Sequence, residues 1–160
     1  MIMNINEEDI FLRPFQDDDV KDFEKWLDKE YIKKWFNKES WLEQINGRNN
    51  EFSYISHYIV YCGNKKIGFC HYLDGYYAQD IYENIIEKNY SYELNYLIGE
   101  EKYLDIGIGK IIIKKMEKII KEIGGKELLA DPEPENIISQ KLLLSNGFIK
   151  IKDGDFRKKI

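Results

Sequence analysis

Apolar residues along this 160-residue chain alternate between two spacings, and each change of spacing marks an element. Phe11-Leu12-Arg13-Pro14 has the period of a strand. Val20, Phe23, Trp26 and Leu27 then recur at helical spacing behind Asp17-Asp18-Asp19, which supplies capping and dipole-favourable acids. Trp41, Leu42 and Ile45 predict a second short helix over residues 39–45, ended by Gly47-Arg48-Asn49-Asn50. Residues 54–62 and 66–73 are rich in β-branched and aromatic side chains and flank Gly63-Asn64, which predicts a hairpin. Residues 74–89 form a polar, tyrosine-rich connection, partly helical, of the length often found in substrate loops. A strand follows over residues 91–99. Residues 111–123 have the pattern of a long amphipathic helix that Gly124-Gly125 closes. Residues 127–130 predict a short buried strand, and Asn136 opens a helix running to Asn146-Gly147. Asp153-Gly154 makes a last hairpin of residues 148–152 and 156–160. The order predicts one domain of mixed α/β (α+β) class spanning residues 1–160.

Hydrophobic content of 43% is enough for one core and argues against disorder. The net charge of −5 weakens a nucleic-acid role, because phosphate backbones need a basic face. It leaves room for a cationic substrate. No leader segment and no membrane-length apolar stretch is read, so the expected compartment is the cytoplasm. Cys62 and Cys70 read as reduced buried thiols, and no spacing suggests a metal site. His57 and His71 lie within strands, where a satisfied or surface histidine is the commoner case.

The chemistry concentrates at Leu104-Asp105-Ile106-Gly107-Ile108-Gly109-Lys110, a glycine pair between a strand and the long helix. A helix start carries unpaired N–H groups and partial positive charge, and glycine removes the Cβ that would keep a phosphate from the amides. A P-loop needs a hydroxyl residue after its lysine, and Ile111 follows Lys110 here. A dinucleotide fingerprint needs three glycines after the first strand of a βαβ unit. An acyl-CoA pyrophosphate is the third possibility.

Further along, Asp131-Pro132-Glu133-Pro134-Glu135-Asn136 and Leu142-Leu143-Leu144-Ser145-Asn146-Gly147-Phe148 resemble the C-terminal half of GNAT acyltransferases, and the glycine turn resembles that superfamily's Q/R-x-x-G-x-G loop. Within it, Tyr96-Leu97-Ile98-Gly99-Glu100 and Asp131-Pro132 are similar to aminoglycoside 6′-N-acetyltransferases and related enzymes that acetylate small amines. The resemblance implies a mostly antiparallel central sheet flanked by about four helices, and acetyl-CoA as the acetyl donor. It implies that the amides of Ile106, Gly107, Ile108, Gly109 and Lys110 hold the pyrophosphate. Main-chain groups of Leu97 and Ile98 would pair with the pantetheine arm. Asn136 would bond to that arm, or serve as a plain helix cap.

Five positions depart from the pattern. Leu104 replaces Gln or Arg, Asp105 replaces a common glycine, Ile106 replaces a frequent lysine, Asn95 replaces a carboxylate, and Leu143 replaces the usual tyrosine proton donor. A base must take the proton of the attacking amine. The family's carboxylate position holds Asn95, but strand alternation puts Glu93 on the same side. Glu93 and Asn95 are the catalytic candidates, with Glu93 as base; a surface acid on a strand edge is the alternative. Tyr96, Tyr103 and the loop tyrosines are candidate proton donors. Asp131 would hold an ammonium group, or simply form a turn before proline. Tyr76, Tyr77, Asp80, Tyr82 and Glu83 would form the far wall of a cationic pocket. The implied activity is N-acetylation of a small polycationic amine, such as an aminoglycoside 6′ amine in antibiotic resistance, by a monomer or homodimer. A protein or peptide acetyltransferase and a degenerate CoA-binding domain are the alternatives.

Overall fold

A computed structural model describes residues 5–160. Among them, seven strands form one sheet in the order β1-β2-β3-β4-β5-β7-β6. The strands are β1 (Ile10–Pro14), β2 (Ile55–Cys62), β3 (Lys65–Asp74), β4 (Ser91–Ile98), β5 (Glu127–Ala130), β6 (Ile149–Lys152) and β7 (Asp155–Lys159). The helices are α1 (Val20–Leu27), α2 (Glu30–Lys33), α3 (Lys38–Asn46), α4 (Ile108–Glu122) and α5 (Ile137–Ser145). The predicted strands and helices are all present, with α2 in addition. The chain divides into two compact units: residues up to His71 with Tyr96–Ile112, and Tyr72–Asn95 with Ile113–Ile160.

The first unit is built on the antiparallel pair β1–β2, in register from Ile10↔Cys62 to Pro14↔Tyr58. Phe23, Trp26 and Leu27 of α1 bury against Ile59 and Phe69, as their spacing predicts. The acids before α1 do more than cap it. Asp19 is fully buried, takes two hydrogen bonds from Arg13 at 2.8 and 2.9 Å, and lies 2.8 Å from Lys66. It also accepts from the Gln16 amide at 2.8 Å. Burial alone would push its carboxyl up, but the bonds from Arg13 and Lys66 outweigh it and hold the group below its usual range. At the end of β4, Gly99 is required by packing: a Cβ there would come within 2.2 Å of the Trp26 ring.

The second unit contains the parallel pair β4–β5, in which Ser91 faces Glu127 and Glu93 faces Leu129. β7 pairs antiparallel with both β5 and β6, so the last hairpin inserts its second strand next to β5. Gly147 and Gly154 take φ of 91° and 78° as the helix end and hairpin turn require. Residues 75–90 connect β3 to β4. Asp74 clasps both ends of this loop, accepting from the amides of Tyr76 at 2.9 Å and Asn89 at 2.6 Å. Gly75 lets the loop lie close on the β4–β5 pair, where a Cβ would come within 2.6 Å of Leu129. Ala78, Tyr82 and Ile85 are the side chains it buries.

Candidate active site

Within the first unit, the glycine turn forms as its sequence predicts. A short 3-10 turn at Glu101–Tyr103 leads to Asp105 and Gly107, both left-handed at φ 60° and 89°, and α4 begins at Ile108. A backbone alternating in this way directs successive amides to one side, and the first turn of α4 adds its unpaired N–H groups. No acid lies in that first turn, and Lys110 is exposed. A Cβ on Gly107 would meet nothing within 4 Å, so the space above the turn is open. The Asp105 side chain is exposed. These residues suit a diphosphate: donors, an open approach, a nearby cation, and the one acid exposed to solvent. Of the two strand residues assigned to the pantetheine, Leu97 directs its carbonyl at Gly68 of β3, where a side chain would leave only 2.4 Å. The Ile98 carbonyl accepts from the Tyr31 hydroxyl at 2.8 Å.

Within the second unit, one face of β4–β5 carries a carboxylate cluster. Glu93 and Asn95 do project to the same side, as alternation predicts: Asn95 donates to Glu93 Oε1 at 2.9 Å. Glu93 is 6% exposed on an interior strand, which removes its reading as a surface acid on an edge. Its Oε2 atom is buried without a hydrogen bond. Burial pushes the Glu93 carboxyl up, against the pull of Tyr82 and Asn95 and with the repulsion of Asp80. Asp131 follows β5 on the same face and is partly buried. Burial, then the charges of Glu93, Glu133 and Asp80, push it to about 7. Two acids raised by burial and by neighbouring negative charge make a site that attracts cations and can take up a proton near neutrality.

The far-wall residues divide. Asp80 and Tyr82 belong to the cluster electrostatically. Tyr82 is 1% exposed, so it is a buried floor residue. Glu83 is not part of this group: it is exposed, paired with Lys152 at 3.1 Å, and its carbonyl accepts from Arg157 at 2.8 Å. Tyr76 and Tyr77 pack edge to face and share Lys88 as a cation over both rings. Asn136 caps α5, accepting from the Ser139 amide at 3.1 Å, so a cofactor bond would fall to its Nδ2. Glu133 was missed in the sequence, though a third acid within two residues of Asp131 is a signal.

The sequence matches the acetyltransferase (GNAT) domain family over residues 9–149. The chain belongs to the GNAT acetyltransferase family. Among solved structures, this GNAT domain is similar to aminoglycoside acetyltransferase AAC(6')-Ib in complex with ribostamycin and coenzyme A. That match has 16% identity and a TM-score of 0.77, over 94% of this chain and 93% of that one. It is similar to an aminoglycoside N(6')acetyltransferase from Legionella pneumophila at 13% identity and a TM-score of 0.73, over 99% and 94% of the two chains. It is also similar to the PaiA N-acetyltransferase from Thermoplasma acidophilum in complex with coenzyme A. There the identity is 24% and the TM-score 0.64, over 94% and 99%. At these identities the likeness is one of fold. No curated protein matches the sequence. No described helix is long and apolar enough to cross a membrane.

Leu143, the position the sequence resemblance assigns to the proton-donor tyrosine, is buried as an apolar residue of α5. Tyr96 remains a candidate proton donor; burial pushes its hydroxyl up to about 12. By alternation it projects from the face of β4 opposite to Glu93. Neither histidine suits a base. Burial, with the Arg48 charge, pushes His57 down to about 4; burial also drives His71 well below its usual value, against a stacked Trp41 at 4.8 Å.

Proposed function

We propose that this GNAT domain acetylates a primary amine of a small polycationic molecule with acetyl-CoA as donor, in the cytoplasm. The 6′ amine of an aminoglycoside is a substrate of this kind. The observation that carries the reading is the group of Asp80, Glu93, Asp131 and Glu133, in which burial and mutual repulsion raise Glu93 and Asp131. A second ammonium on the substrate relieves that repulsion, so the site favours amines with more than one charge.

Bound acetyl-CoA supplies an acetyl thioester open to direct attack by an amine. The amides of Gly107, Ile108, Gly109 and Lys110 would hold its diphosphate at the start of α4, with Lys110 adding charge. Asp131 orients the incoming ammonium. Glu93 takes one proton from it, which frees the nitrogen lone pair to form the amide bond as the thioester C–S bond breaks, and the second nitrogen proton leaves with the coenzyme A thiol. Asn95 holds Glu93 by its Oε1 atom. A carboxylate raised by burial is better matched to an ammonium than one at its ordinary value, so the transfer costs less.

The test is release of thiol from acetyl-CoA with a panel of aminoglycosides, linear polyamines and monoamines. Polycations should turn over and monoamines should not. Glu93→Gln should lower kcat/KM on the best amine by roughly 100-fold or more, the usual contribution of a positioned base. Unchanged turnover in that variant would remove Glu93 as the base. Turnover confined to peptide amines would replace the small-molecule reading with a protein acetyltransferase.

A further inference from the structure

Tyr82 has a surplus that lining a pocket does not explain. Its hydroxyl is buried without a hydrogen-bond partner, and so is Glu93 Oε2. The charges acting on that hydroxyl are those of Glu93, Asp131 and Asp155. Asp155 is already occupied, with both oxygens accepting from Arg157 at 2.9 and 3.0 Å. Glu93 Oε1 is occupied by Asn95. Of these three acids only Glu93, at Oε2, has a buried oxygen without a partner, which makes it the acceptor that matches Tyr82, and a buried donor and acceptor left apart both lose their water for nothing. The loop also delivers this tyrosine to a fixed place. Asp74 clasps its ends, and Lys152 and Arg157 hold the next residue, Glu83.

We infer that Tyr82 is the positioning residue for Glu93: its hydroxyl donates to Oε2 and, with Asn95 on Oε1, fixes the carboxylate that receives the amine proton. The inference rests on Glu93 being the base. The two donors oppose the burial and the Asp80 charge that favour protonation. Asp131, with Glu133 beyond it, faces the same carboxylate from the end of β5, and Asp155 and Arg157 of β7 act on Tyr82 itself. Loss of the tyrosine donor therefore raises the affinity of Glu93 for a proton. The ionised base is then present only at higher pH.

The experiment follows the Glu93 carboxyl by carbon NMR across pH in the full chain without amine, beside the pH dependence of kcat/KM. In Tyr82→Phe the Glu93 midpoint should rise by about one pH unit, the effect of one lost donor to a carboxylate. The acid limb of kcat/KM should move by the same amount, with the rate recovering on the alkaline side. Asp80→Asn should move both in the opposite direction. An unmoved Glu93 midpoint in Tyr82→Phe overturns the inference, whatever the rate does. A moved midpoint with an unmoved acid limb supports the Tyr82–Glu93 bond and rejects Glu93 as base. Should Tyr82→Phe fail to fold, the hydroxyl proton of Tyr82 in the unmodified protein decides the matter. A protected signal whose shift follows Glu93 ionisation supports the bond, and fast exchange at all pH overturns it.

Discussion

At the scale of single residues, the acids of this chain do three different jobs, and pattern alone separates them poorly. Asp19 is buried and paired, Glu83 is exposed and paired with Lys152, and Asp131 is partly buried among like charges. The last arrangement has a measurable cost. Burial and the neighbouring acids push Asp131 up to about 7 in the fold from an ordinary 3.8, so the folded state binds more protons between those values. Its contribution to stability is fully present below the unfolded value and is lost as pH rises through the folded one. Asp131→Asn should remove that loss. Urea unfolding at about pH 8 should show the variant more stable than the parent by about 1–3 kcal/mol. At about pH 4 the difference should be near zero. The KM for polycationic amines should rise in the same variant, the usual trade between stability and a charged site. The alternation that puts Glu93 beside Asn95 was legible because it is local to one strand. The pairing of Asp19 with Arg13 and Lys66, and the burial of Tyr82, were not, because both depend on partners distant in sequence.

At the scale of elements, glycines at the two ends of the 99–107 segment serve opposite needs. Gly99 leaves space that the Trp26 ring fills, whereas Gly107 has nothing near it but a left-handed backbone. Gly107→Ala should therefore cost only about 1–2 kcal/mol of stability, the strain of that conformation. On the proposed reading it should weaken coenzyme A binding at least about tenfold, because the methyl group would enter the open space assigned to the diphosphate. Calorimetric titration with coenzyme A beside a thermal melt separates the two effects. Gly99→Ala is the contrast: its methyl group meets an aromatic ring, so the fold itself should suffer. The start of α4, the Asn136 cap and the Gly147 stop were readable from residue type, since each has a local backbone reason. The helix α2 was not. It has four residues, no side-chain cap, and one buried residue, Ile32. Tertiary packing forms it: Tyr31 reaches the Ile98 carbonyl, and Lys29 just before it donates to the Gly99 carbonyl.

At the scale of the whole molecule, the family pattern and the element order were legible, but the place of β7 between β5 and β6 was not. That placement is a choice among non-local strand pairs, which a linear pattern does not encode. The same scale sets the last prediction. A ligand that binds only the folded chain stabilises all of it, by about 2.7 kcal/mol at a hundredfold excess over its Kd. For a domain of this size that corresponds to a rise of about 5–10 °C in Tm. Coenzyme A should produce such a rise in the parent protein and much less in Gly107→Ala. On the proposed reading, polycationic amines would act through the carboxylates of the second unit, where attraction between charges is weakened by salt. Their shift should be smaller, should fall as salt is raised, and should vanish in Asp131→Asn. Coenzyme A held at the glycine turn would keep its place through directed amide bonds as well as charge, so its shift should persist at the same salt. Equal salt sensitivity of the two shifts would mean that coenzyme A is held by diffuse charge alone, and would count against the glycine turn as its site.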